Sequence, residues 1–308
     1  MGKFLIRPAM IVLPLAIGLF FPGAGQLATA PYHVIRITLF FMIFLAATGI
    51  EFRDLKPQQD HIKLLAVNIL LGVIPFMVCK YLLHTSLETA LTVFFIGITP
   101  SAAASSVIIS LLNGKVGFGL TGFIFTNAGI SLALLGLLPY TTGNFTANFC
   151  VDAALTIILL IVLPMSAAQL VRKLYPEIVR WVPRMKMISL SLWSLSLFIL
   201  AARARQSFND NPGGSGMQII FCGLISLVFC AVNFYLGGKI ASGNFKSECS
   251  QLLGQKNTVF SICLALAYVD NPITPLALTF YIVWHNIYNA GQLWIFDRKR
   301  RLPPPPGN

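Results

Sequence analysis

Charge is what this chain has least of. Of its 308 residues only 10% are charged, 56% are hydrophobic, and the mean hydropathy is +0.78. Soluble domains carry about 25% charged residues, because they must cover themselves with a hydrated shell. This chain cannot do so, which excludes a soluble enzyme and makes lipid its solvent. Acidic residues are scarcer still, 10 against 22 Lys and Arg, for a net charge of +12. The 6 cysteines lie apart, mostly inside apolar runs and without a CxxC pair. They read as small buried hydrophobes, and they give no metal or disulfide framework.

What is present instead is long apolar runs. A spanning helix needs about 20 apolar residues. Such runs, punctuated by Pro, Gly and charge clusters, fall at 4–21, 34–50, 61–83, 87–113, 117–140, 145–171, 185–202, 215–241, 246–269 and 272–296. The first leads into a second apolar run rather than a polar domain, so it reads as a retained helix. The fold class expected is an all-α polytopic membrane protein of ten transmembrane helices. The stretch Arg298 to Asn308 is basic and then Pro-rich, and is expected to lie outside the bilayer without fixed structure.

The basic residues set the orientation. With both termini in the cytoplasm, 17 Lys and Arg fall on the inner side and 4 (Arg36, Lys80, Arg203, Arg205) on the outer. That bias is the positive-inside pattern, which points to a multi-pass protein of the cell (inner) membrane. It accounts for the net charge as topology with some lipid contact, and removes nucleic acid as a partner. Ten spans divide as 1–143 and 144–297, with 298–308 as a cytoplasmic tail. Five is odd, so the halves would be inverted repeats.

Two spans are interrupted at corresponding positions, fourth in each half. The fourth reads Thr99-Pro100-Ser101-Ala102-Ala103-Ala104-Ser105-Ser106. Pro100 has no N–H and clashes with the preceding turn, and the small residues after it allow close approach. The ninth reads Gly254-Gln255-Lys256-Asn257-Thr258, with Lys256 the eleventh residue of its span and so near mid-depth. A charge there costs several kcal/mol on insertion scales (about 3 at the helix centre) and marks either a site or a Lys held by helix-end carbonyls. Paired broken helices point to a midplane binding site, with N–H groups for anions at the helix starts. Asn127, His285 and Asn286 are further polar candidates inside apolar spans, Asn127 reading first as an interhelical hydrogen-bonder.

These residues resemble the bile acid:sodium symporter family over about residues 45 to 296. Thr99-Pro100 with Ala104-Ser105 and Val107 is similar to its fourth-helix motif, and Gly254 with Asn257-Thr258 to its ninth. Val283-Trp284-His285-Asn286 resembles its last-helix stretch, and Leu163-Pro164 before Arg172-Lys173 its sixth helix. The resemblance implies a panel of helices 1, 2, 6 and 7, a core of 3–5 and 8–10 with helices 4 and 9 broken and crossing, and alternating-access transport of an organic anion coupled to sodium. The chain departs from the family where sodium would bind: Leu252 replaces a Glu, Lys256 a Gln, Ser106 an Asn, and Gly119, Phe123 and Leu70 fall at other oxygen-ligand positions. Hard cations need oxygen ligands. The expectation is therefore a carrier of a small or amphipathic organic anion in which Lys256 replaces the sodium charge, ion-independent or proton-coupled, with no cofactor and no bound metal. Alternatives at this stage are a cation/proton antiporter, a sodium symporter with degenerate sites, an intramembrane hydrolase using Ser105 and His285, and a non-transporting receptor.

Overall fold

A computed structural model describes residues 32–49, 51, 53, 55–182, 216–243, 245–271 and 273–301, with isolated positions in 13–21 and 184–202. Much of the expected first and seventh spans, the 203–215 loop and residues 302–308 lie outside the described residues. The helices are α1 Tyr32–Thr48, α2 Gln59–Met77, α3 Leu87–Ile98, α4 Ala104–Leu111, α5 Val116–Thr142, α6 Ala147–Ile157, α7 Leu163–Leu174, α8 Gly216–Ile240, α9 Lys246–Gly254, α10 Thr258–Tyr268 and α11 Ile273–Arg301. Among the described residues there is no strand, only one isolated antiparallel bridge, between Ser101 and Lys256.

Four continuous helical stretches are long and apolar enough to cross a membrane: Gln59–Leu82, Val116–Thr142, Ala147–Leu174 and Gly216–Ile240. Their outward faces carry exposed large apolar side chains, such as Leu132 (71%) and Leu224 (57%). In water such a surface would be untenable; in hydrocarbon it is the solvated face. The chain is an all-α membrane protein.

Local chemistry sets the helix limits. Ser86 and Thr146 cap α3 and α6, accepting from Thr89 N (3.3 Å) and Phe149 N (3.4 Å). Between α6 and α7 the backbone widens into a π-turn, Ile158–Val162. Pro164 explains it: the ring has no N–H and would strike the carbonyl one turn back, so the helix takes an extra residue there. One expectation is corrected. Arg298–Arg301 continue α11 as helix rather than an unstructured tail, because Lys and Arg are good helix formers and favour the negative end of the helix dipole.

Packing divides around the two interrupted spans. Helix α1 lies along α7, where Arg172 donates to Thr48 O (2.9 Å) and to Glu51 Oε1 (2.6 Å), and Gln169 donates to Ala47 O (3.0 Å). Helix α2 packs on α3 and α5, and α8 on α9 and α11. The α2–α3 approach requires glycine: a Cβ on Gly97 would lie 1.9 Å from Leu71 O. Buried Phe76, Phe94, Phe95, Phe123, Phe260 and Tyr281 fill the core around the crossing.

Candidate functional site: the crossing of two broken helices

Both interrupted spans are broken where their sequences say. The first helix stops at Ile98 and restarts at Ala104; the second stops at Gly254 and restarts at Thr258. Each break frees backbone groups that hydrocarbon cannot satisfy. The breaks satisfy one another: Ala102 N donates to Gln255 O (2.8 Å) and Asn257 N to Pro100 O (2.7 Å). Pro100, unable to donate, contributes only its carbonyl.

The bridged pair behaves reciprocally. Ser101 Oγ donates to Leu252 O (2.5 Å), near the end of α9. Lys256 Nζ donates to Gly97 O (3.1 Å), near the end of α3, and to Asn68 Oδ1. Each bridge residue thus serves the orphan carbonyls of the opposite half-helix, where the dipole end is negative. The chemistry differs: one side uses a hydroxyl, the other an amine. Lys256 is 2% exposed, and among the described residues no carboxylate pairs with it. Its acceptors are neutral oxygens.

A frame of amides holds the crossing. Asn68 Nδ2 donates to Thr99 O (3.1 Å), so a single residue of α2 grips both breaks. Asn127 of α5 donates to Ser101 O and Phe123 O (2.8 Å each) and accepts from Asn257 Nδ2 (3.4 Å). Asn257 also caps α10 through Oδ1, which accepts from Phe260 N (3.4 Å). Thr99 Oγ1 is hydrogen-bonded to Phe95 O (2.5 Å) and Ser261 Oγ (2.7 Å), and Tyr281 Oη donates to Gly254 O (2.8 Å).

Beside the crossing lies a cavity of about 40 Å³. Its walls are the start of α4 (Ala102, Ala103, Ala104), the second break and start of α10 (Gln255 through Val259), His285 of α11, and Leu39, Met42 and Ile43 of α1. Two helix starts therefore border one space that Lys256 also lines, an arrangement suited to an anionic group.

The site residues read from the sequence divide accordingly. Gln255, Lys256, Asn257, Thr258 and His285 line the cavity; Thr99, Pro100, Ser101 and Asn127 form the crossing beneath it. Ser105, Ser106 and Asn286 do not line it. Ser105 and Ser106 are buried with no side-chain hydrogen bond among the described residues, and Asn286 donates to Ile282 O one turn back (2.8 Å). On α2 the polar contact to the crossing comes from Asn68, two residues before Leu70. Leu70 is 49% exposed and faces outward, while Asn68 reaches the ammonium. A polar residue amid apolar neighbours was the available signal. No family model matches the chain, and no curated protein does.

Proposed function

We propose that the chain is a secondary carrier that moves a small or amphipathic organic anion by alternating access. In this reading ten spans form two inverted repeats, 1–143 and 144–297, with both termini in the cytoplasm of a cell whose inner membrane holds the protein. The observation that carries it is the crossing: two broken spans, one in each half, open both helix starts into one cavity that Lys256 also lines. Such breaks at mid-membrane are where transporters bind substrate.

The cavity has room for roughly two or three waters. An organic anion needs more, and only one wall lies outside the crossing assembly: Leu39, Met42 and Ile43 of α1, which is tied to α7. Withdrawal of that pair would enlarge the site, as a panel moving against a core requires. The anion's charged group would sit at the starts of α4 and α10, with its body against the α1 wall.

Lys256 supplies the fixed positive charge. Its ammonium already engages Asn68 Oδ1 and Gly97 O, the oxygens a coupling cation would need, and Leu252 offers no side-chain oxygen. Transport therefore proceeds without sodium. Cation exchange would need a carboxylate at the crossing, yet the buried Asp60 and Glu248 are occupied elsewhere, by Ser242 N and Lys115 N. The test is a thermal-shift screen of carboxylates and sulfonates, with sodium or choline as counter-ion. Binding to the folded state raises the midpoint. At least one organic anion should do so equally in both salts; no shift with any anion would end this reading.

A further inference from the structure

Polar side chains continue beyond the cavity on two facing helices. On α11, His285, Asn289 and Gln292 recur at i, i+4 and i+7, which puts them on one face. On α9, Gln251 lies one turn before Gln255. The two faces meet. His285 and Gln255 both line the cavity, Gln255 Nε2 donates to Gln251 Oε1 (3.2 Å), and Gln251 Nε2 donates to Gln292 Oε1. Gln292 Nε2 then donates to Tyr288 Oη (3.0 Å), a residue 38% exposed.

Amides are costly in an apolar span, and the bland use for them is to bond helix to helix. Two atoms in this stripe do not fit that use. His285 Nδ1 and Asn289 Oδ1 are buried and have no hydrogen-bond partner among the described residues. An unsatisfied buried polar atom costs about 1–3 kcal/mol. Orphans between a cavity and a closed amide pair are what a wall that meets water or ligand in another conformation would leave behind.

We propose that α9 and α11 carry the polar wall of the route from the crossing cavity to the membrane face bearing Arg298–Arg301, and that the Gln251–Gln292 bond is its gate. The inference rests on the carrier reading and names the path of the same site. Gln292 stands six residues before Arg298, roughly 9 Å along the helix. Neutral amides suit the passage of an organic anion: their N–H groups solvate it, while a fixed cation would retain it.

Charged thiol labelling of the full chain in vesicles tests this. Cys79 and Cys150, the half-buried native thiols, are first replaced by Ser; the other four are buried. Asn289→Cys and Gln292→Cys are then compared with Ile287→Cys, which lies on the opposite, outward face at 54% exposure. A membrane-impermeant sulfonate-bearing methanethiosulfonate, applied from the Arg298 side, should modify the first two and abolish their organic-anion uptake. Ile287→Cys should stay unmodified and active. If all three resist the reagent from both faces, in vesicles that do take up the anion, the route is wrong and the amides are helix glue. Gln251→Leu and Gln292→Leu give a second reading: uptake falls with the thermal midpoint held, and unchanged uptake overturns the gate. Absence of uptake by the wild type instead overturns the carrier reading itself, whatever the labelling.

Discussion

The two breaks share a backbone and differ in chemistry. Residues 99–103 and 255–257 exchange hydrogen bonds across one antiparallel bridge, and Ser101 and Lys256 each reach the opposite helix end. On the first side a short hydroxyl suffices, because α9 ends close by. On the second, a four-carbon stem carries an ammonium to Gly97 O and Asn68 Oδ1. The backbone symmetry builds the crossing, and the side-chain asymmetry gives it an amine. A buried Lys whose partners among the described residues are neutral oxygens lowers stability by comparison with an apolar residue.

That contrast can be broken in graded ways. The largest effect is expected at Gly97, whose carbonyl receives the Lys256 amine. Gly97→Ala would drive a methyl into Leu71 O and separate α2 from α3, costing about 3 kcal/mol or more, with loss of folded protein in detergent as the readout. Asn127→Leu comes next. It removes the donor to Ser101 O on one break and the acceptor for Asn257 on the other, so both lose support at about 1–3 kcal/mol. The thermal midpoint should fall and uptake with it. Ser101→Ala removes one hydrogen bond from the uncharged side, about 1 kcal/mol. It should lower the midpoint while leaving anion uptake measurable; complete loss of uptake would show that the two breaks are not chemically distinct.

The smallest effect lies away from the crossing, at Glu51 between α1 and α2. Hydrogen bonds from Arg172 first, and then Arg53, hold its carboxyl below the usual carboxylate range. A lowered folded-state value gives stability that is present above about pH 4.5, the ordinary carboxylate value, and is lost as pH falls through the folded value. Arg53 is largely exposed, so the contribution is minor. Acidification from pH 7 to 4 should lower the wild-type midpoint more than that of Glu51→Gln.

Much of the fold was legible in the sequence, because hydrocarbon imposes length. The runs expected at 61–83, 117–140 and 215–241 became helical at Gln59–Leu82, Val116–Thr142 and Gly216–Ile240. Both breaks were legible too, since Pro100 and the Gly254–Asn257 run contradict an apolar helix. What was not legible is what each break touches. Asn68 is 188 residues from Lys256 in sequence, and its reach depends on the rotation and depth of α2, which one apolar run does not encode. The same holds for Ser261 and Tyr281. Ser105 and Ser106 follow the alanines that line the cavity and do not line it themselves, a placement that depends on the rotation of α4.

If the Lys256 amine does the work of a coupling cation at the crossing, uptake into proteoliposomes will show it, using the anion chosen by thermal shift, in sodium and in choline, with wild type and Lys256→Gln. Equal wild-type uptake in both salts, lost in Lys256→Gln, is the result predicted. Wild-type uptake that requires sodium and survives in Lys256→Gln would contradict it.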